Sequence, residues 1–330
     1  MNTTANNTGK LRTETVCIIG GTGFVGRHLA HRLILHGYRV RIPTRHPQRH
    51  RPLGINPGVR LVEADIHDHD TLREEFGRCG IVVNLAGILN ETGGSSFRQT
   101  HEELPRNICR AMHASGVRRL LHMSALNADA GEQHSSYLKT KGMGEDLVHA
   151  EGDAGLLVTS FRPSVIFGEG DSFFNRFAGL LKLSPLFFPL ACPESRFAPV
   201  FVGDVVEAFC RSIDPVMAGE RLDLCGPEVF TLRELVEYTR AHTGSRARII
   251  GLGDGLSRLQ ARLLGLVPGK PFTMDNYHSL QKQSTCSNNA LPELGIDPAS
   301  IEAIVPAYLA GRNARGRYPD MRTRSRRSGP

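Results

Sequence analysis

No apolar run in this sequence reaches the about 20 residues that a membrane-spanning helix needs. The nearest, residues 173–192, is broken by Asn175, Arg176, Lys182, Pro185 and Pro189. The opening MNTTANNTGK has no apolar h-region, which argues against a secretory signal. No C-x-x-C spacing occurs among the seven cysteines (Cys17, Cys79, Cys109, Cys192, Cys210, Cys225, Cys286), so reduced thiols in a cytoplasm are expected. No internal repeat is evident. Acidic residues are in the minority, 33 against 40 Lys and Arg, but the excess of +7 is local. Residues 312–330 carry seven arginines against Asp320, and residues 39–51 carry Arg39, Arg41, Arg45, Arg49 and Arg51 with no acid. The rest of the chain is slightly acidic. The high pI therefore describes two patches and does not argue for a specific nucleic-acid partner.

What is present is ordinary for a globular protein: 40% hydrophobic residues, 35 Gly and 19 Pro over 330 residues. Residues 15–19 form a β-branched run that ends in glycines, and residues 24–36 then place Val25, Leu29 and Leu33 at helical spacing. Short strands are predicted at 40–42, 59–62, 81–85, 120–123 and 156–161. Helices at 71–76, 104–115 and 137–150 lie between them. This alternation implies an α/β fold, a Rossmann-type doubly wound parallel sheet. The rhythm breaks near Pro163. Smaller helices at 202–209, 231–242, 256–266 and 301–309 and a strand at 222–225 predict a smaller C-terminal α/β lobe. The expected division is a disordered leader (1–14), a dinucleotide-binding domain (15–163), a lobe interleaved with the last elements of that domain (164–311) and a disordered Arg-rich tail (312–330). The tail lacks the interleaved aromatics of an RNA platform. Solvated disorder is its default, with a lipid or nucleic-acid tether as the weaker alternative.

The strongest local signal is Gly20-Gly21-Thr22-Gly23-Phe24-Val25-Gly26, between a predicted strand and helix. Gly20 permits the tight turn, Gly23 lets backbone approach a pyrophosphate, and Gly26 lets the helix pack on the sheet. A site selective for NAD would place Asp or Glu about 20 residues on, to bond the ribose 2′-hydroxyl. Residues 15–62 contain no acid, and Thr44, Arg45 and His46 follow the second strand. The Arg45 guanidinium suits a 2′-phosphate, so NADP(H) is the expected cofactor, with NAD(H) as the alternative and a merely solvated basic loop as the bland reading. Asp65 can accept from the adenine amino group with Ile66 beside the ring, and Ala86-Gly87 leave room at the end of the fourth strand.

Tyr137 and Lys141 stand one helical turn apart on one face. The ammonium favours the phenolate, fitting Tyr137 for proton exchange with a carbonyl or alcohol, and Ser124 at the preceding strand end can hydrogen-bond the same oxygen. His67-Asp68-His69-Asp70 reads as a helix cap rather than a metal site. Residues 173–192 read as the core of the second lobe, or as a lipid- or quinone-facing lip.

Together these residues resemble the extended and atypical short-chain dehydrogenase/reductase superfamily, with its NAD-dependent epimerases and dehydratases. GGTGFVGRHL (20–29), HMSAL (122–126), YLKTKGMGE (137–145), RPSVIFGEGDSFFNRFA (162–178) and FAPVFVGDVVEAF (197–209) are more similar still to the group of nucleotide-binding accessory subunits of respiratory complex I and their bacterial relatives. The resemblance implies NADPH binding through Gly20, Thr22, Gly23, Phe24, Val25, Arg45, Asp65, Ala86, Tyr137 and Lys141, with Arg162, Pro163 and Ile166 flanking the nicotinamide. One departure is that His101 stands where active members carry an Asn that organises a proton relay. Two functions therefore stand open. One is an NAD(P)H-dependent oxidoreductase or epimerase/dehydratase-like enzyme acting on an unknown small molecule through Ser124, Tyr137 and Lys141. The other is a non-catalytic NADPH-binding assembly or stability factor for a membrane respiratory or ubiquinone-biosynthesis complex, cytoplasmic and peripheral to the inner membrane.

Overall fold

The computed structural model describes residues 14–91, 94–184 and 186–309. The expected leader, but for Glu14, and the Arg-rich tail lie outside the described residues. β1 (Thr15–Ile19) is buried from Val16 onward and runs through the glycine turn into α1 (Phe24–Leu35), which buries Leu29, Ala30 and Leu33 at helical spacing. β2 (Arg39–Thr44), α2 (Arg51–Gly54), β3 (Val59–Glu63), α3 (His69–Phe76) and β4 (Ile81–Asn84) follow. Asp68 caps α3 by accepting from the Thr71 backbone N–H at 2.9 Å. A single π-helical turn, Gln99–Glu103, leads into α4 (Leu104–Ser115), which ends on the left-handed Gly116. β5 (Arg119–Met123), α5 (Ser136–Ala150) and β6 (Leu157–Pro163) continue the alternation.

Shorter elements come next: β7 (Ile166–Phe167), α6 (Phe174–Leu183), β8 (Phe187–Leu190), β9 (Arg196–Phe197), β10 (Val200–Phe201), α7 (Val202–Arg211), β11 (Arg221–Leu224) and β12 (Phe230–Thr231). α8 (Leu232–Thr243) opens with a capping box between Thr231 and Glu234 and stops at the left-handed Gly244. β13 (Arg248–Gly251), α9 (Asp254–Gly265), α10 (Met274–Leu280), α11 (Ala290–Glu293) and α12 (Ile301–Leu309) complete the chain.

The described residues form two compact units. The first runs to Arg162 and takes back Val206–Leu222; the second comprises Pro163–Val205 and the residues from Asp223 onward. The main sheet has seven strands in the order β11-β6-β5-β4-β1-β2-β3, and β1 to β6 are mutually parallel. The order reverses between β1 and β4, the crevice where open α/β sheets take ligands at their carboxyl ends. The returning segment is stitched into this unit. The Phe209 ring stacks on Phe161 at 3.8 Å between centroids, Glu207 accepts from Arg32 at 2.7 Å, and the Arg119 guanidinium donates to the carbonyls of Ser212 and Ile213.

Two sequence expectations need correction here. The basic run 39–51 is not all surface: Arg41 is buried and forms a two-point ion pair with the buried Glu75, Nη2 to Oε1 being 3.0 Å. Nor are all seven cysteines reduced, for Cys225 and Cys286 form a disulfide across 61 residues of sequence, their Cα atoms 6.0 Å apart. Spacing could not show this. The loop before α11 folds back so that Asn289 accepts from the Cys225 N–H at 3.2 Å and donates to its carbonyl at 2.9 Å, which brings Cys286 alongside. Titration of the unfolded, unreduced chain should therefore find five thiols and the reduced chain seven; seven before reduction would contradict the pairing.

Residues 173–192 divide between the two readings. Phe174, Ala178, Leu181, Phe188 and Leu190 belong to the second unit's core, whereas Leu183, Leu186 and Phe187 are exposed. Among the described residues no helix is long and apolar enough to cross a membrane.

Candidate functional site

The glycine turn at the end of β1 is shaped by close backbone approach. Gly20 has φ +79°, and a Cβ there would lie 3.0 Å from the Ala86 nitrogen; a Cβ on Gly26 would lie 2.5 Å from the Gly21 Cα. These two positions exclude side chains. Gly23 caps α1 with extended backbone and no side-chain hydrogen bond, and no acid stands in the helix's first turn. The N–H groups at the start of this 12-residue helix are thus left for an anion, and Thr22, Phe24 and Val25 carry neighbouring amides. The residues present fit a pyrophosphate.

Arg45 follows β2, is exposed, and forms no ion pair among the described residues. Asp65 is exposed beyond β3 and accepts from the His67 N–H at 3.0 Å. Ile66 and Ala86 pack against the core of the first unit. Asn84, buried at the end of β4, accepts from the Ala86 N–H at 3.1 Å and donates to His122 Nδ1 at 3.2 Å, fixing the direction of the chain into Gly87. A Cβ on Gly87 would sit 3.5 Å from Lys141 Nζ and 3.8 Å from His101 Nε2. The strand end, the π-helical turn and α5 therefore converge here.

Lys141 is buried, and its Nζ donates to the Met123 carbonyl at 2.7 Å. Burial lowers its pKa to about 8, opposed by the charge of Glu145. The Tyr137 ring lies 5.6 Å from that of His101, edge to face, and 6.1 Å from Phe97. His101 sits on the π-helical turn before α4. Its Nε2 accepts from the Ile88 N–H at 3.2 Å, which leaves the proton on Nδ1 to be donated to Thr140 Oγ1 at 3.0 Å. Burial, and then the Lys141 charge, push its pKa down to about 2. It is a neutral brace with both nitrogens committed, not a group that passes protons at neutral pH.

Two residues expected at the reacting end turn inward. Ser124 is buried and its Oγ donates to Glu145 Oε2 at 2.8 Å. Arg162 directs its Nε to the two Glu145 oxygens at 2.9 and 3.0 Å, and Arg221 stands 3.8 Å from the same carboxylate. The strand end that carries Ser124 therefore serves a buried ion cluster. Glu145 went unread in the sequence, although Tyr137, Lys141 and Glu145 fall at successive steps of four on one helix. Pro163 ends β6 and Ile166 pairs with Val200 in a separate two-stranded sheet; both belong to the second unit.

Two buried histidines and the half-buried His149 give the fold a pH dependence with a definite sign. His101, His122 and His149 all have lowered pKa values, burial being the first cause for each. Unfolded, each takes up a proton near 6.5; folded, they stay neutral until well below that. Stability present above pH 6.5 is lost as pH falls toward 4 and beyond. Urea midpoints should drop across that interval, and His101→Asn should flatten the slope; an unchanged slope would contradict the neutral brace.

Comparison with known proteins bears on the family. Residues 16–224 match the model of the NAD dependent epimerase/dehydratase family. The chain is 30% identical over 295 residues to the mouse (Mus musculus) mitochondrial NADH dehydrogenase (ubiquinone) 1 alpha subcomplex subunit 9, covering 86% of this chain and 77% of that protein. It is also 30% identical over 242 residues to the ceramide reductase of Caulobacter vibrioides, covering 72% and 74%. Among solved structures, a dTDP-glucose 4,6-dehydratase from Streptomyces venezuelae with NAD bound shares the fold at TM-score 0.71 and 20% identity, over 91% of this chain and 98% of that one.

Proposed function

Because the chain belongs to the NAD dependent epimerase/dehydratase family, we propose that its first unit binds NADP(H) and that Tyr137 and Lys141 serve proton transfer in an oxidoreductase or epimerase/dehydratase-like reaction on a small molecule. The observation that carries the binding is the side-chain-free turn Gly20-Gly23-Gly26 below a helix whose N-terminus has no side-chain cap. Amides from Thr22 to Val25 would take the pyrophosphate, and Arg45 would fork onto a 2′-phosphate. Asp65 would accept from the adenine amino group, with Ile66, Ala86 and Gly87 shaping the floor. A bound NADP(H) would supply hydride at its nicotinamide ring. The chain's own part is a proton at the Tyr137 hydroxyl, with the Lys141 ammonium, anchored by Met123, favouring the phenolate.

Arg45→Ala is expected to weaken NADPH binding roughly tenfold to a hundredfold, as loss of a charge-assisted contact does, and to leave NADH binding unchanged. Equal affinity of the wild type for the two nucleotides, measured by equilibrium titration, would refute the preference.

A second reading is favoured by one observation. The Ser124 hydroxyl is held by Glu145 and His101 is held neutral, so neither is disposed to extend a proton relay from Tyr137. On that reading the nucleotide is a resident ligand that stiffens a subunit or assembly factor of a respiratory or ubiquinone-linked complex. Following NADPH absorbance with quinone and sugar-nucleotide panels separates the two: oxidation abolished by Tyr137→Phe supports the enzyme. Nucleotide that stays bound with no Tyr137-dependent turnover supports the resident ligand.

A further inference from the structure

Helix α9 in the second unit inverts the usual burial rule for a surface helix, in which the leucines face the core. Its buried positions are the small residues Ser257 and Ala261, while Leu256, Leu259, Leu263 and, just past its end, Leu266 make a stripe at helical spacing that is 57%, 50%, 58% and 85% exposed. The helix is fixed in that orientation. Ser257 Oγ accepts from the Cys192 N–H at 3.2 Å and donates to the Leu252 carbonyl at 3.3 Å. On the next flank, Gln260 Nε2 donates to the Pro189 carbonyl at 3.1 Å, tying the helix to β8. The parallel pair β8 and β13, to which Gln260 ties the helix, adds the exposed Phe187 and Ile250, with Arg248 in register with Phe187. More than half of the large apolar side chains exposed among the described residues fall within 183–187 and 250–267.

Charge says what such a patch can meet. Residues 244–270 hold five arginines and lysines against one acid, Asp254, which already engages Arg258 at 3.0 Å and the Tyr277 hydroxyl. Arg262, next to Leu263, forms no ion pair among the described residues. We infer that this face docks on an anionic phospholipid bilayer, with α9 lying in the interface, its leucines at the acyl boundary and the exposed Arg246, Arg248 and Arg262 at headgroup phosphates. An apolar stripe fringed by cations meets both needs of that surface at once, apolar burial and negative charge.

Flotation of the full chain with vesicles tests this. The protein should float with phosphatidylcholine vesicles containing phosphatidylglycerol, much less with phosphatidylcholine alone, and less again in high salt. Leu259→Ser/Leu263→Ser should reduce partitioning at least about tenfold with an unchanged melting curve, since both side chains are exposed, and Leu35→Ser in the first unit should leave it unaltered. Protein that stays in the soluble fraction with both vesicle types overturns the proposal. So does equal flotation of the double variant, which would assign lipid contact to the Arg-rich segment beyond residue 309. A concentration-dependent dimer that the double variant dissolves would give the stripe to a second copy of the chain and likewise overturn it. Because the stripe and the glycine turn lie on different units, the double variant should still bind NADPH, and failure of one reading is distinguishable from failure of the other.

Discussion

Glu145→Ala should cost the fold about 3–5 kcal/mol of unfolding free energy, the penalty usual for leaving a buried charge without its partner. Glu145 is fully buried, and its carboxylate takes the Arg162 Nε at 2.9 and 3.0 Å and the Ser124 hydroxyl at 2.8 Å, with Arg221 nearby. Removing it strands the partly buried Arg162 guanidinium and a buried hydroxyl together. Much of the cost is therefore the orphaned cation, and Glu145→Ala/Arg162→Met should recover part of it. Paired urea unfolding curves read this directly. A single-variant loss within about 1 kcal/mol of zero, or a double variant no better than the single, would show that the cluster is not what holds β5, β6 and α5 together.

Gly144→Ala should lose about 3 kcal/mol or more although it adds one methyl group. A Cβ at Gly144 would lie 1.9 Å from the carbonyl oxygen of His101, which is backbone and has no rotamer to yield. To admit it, α5 must move away from the π-helical turn, and the geometry of Tyr137, Lys141 and His101 moves with it. The variant should therefore lose nucleotide affinity along with stability. Gly179→Ala, where nothing lies within 4 Å of the added carbon, is the control for helix propensity alone. Comparable stability of the two variants would mean that the close approach is not required.

The parallel sheet was legible because β1 and β4 are short runs rich in Val and Ile, β5 is a short apolar run, and α1 between β1 and β2 repeats its apolar residues at three and four. Val40-Arg41-Ile42 shows the limit of such reading. Arg41 stands in a basic run that looks like a surface patch, and only the folding of α3 beside it supplies Glu75. The Gly20–Gly26 turn was legible since its constraints are local to seven residues. The ends of β5 and β6 were less so: Ser124 and Arg162 had a strand-end position suited to a ligand, but both side chains turn to Glu145, 21 and 17 residues away. Cys225 and Cys286 were unreadable as a pair for the same reason, being joined by a loop course that has no signature in spacing.

The return of Val206–Leu222 to the first unit governs how this protein can be made. A ribosome that has delivered residues only to Arg162 has produced a sheet whose β6 edge lacks β11, a Phe161 ring without Phe209 and a buried Arg119 without its Ser212 and Ile213 acceptors. The first unit thus cannot close until Leu224 has emerged, although its glycine turn has long been available, and a gene cut at Arg162 would encode a fragment that lacks these partners. Residues 163–205 must be threaded out first, with the exposed apolar side chains of 183–187 among them, so the nascent chain presents hydrophobic surface before it can hold a nucleotide.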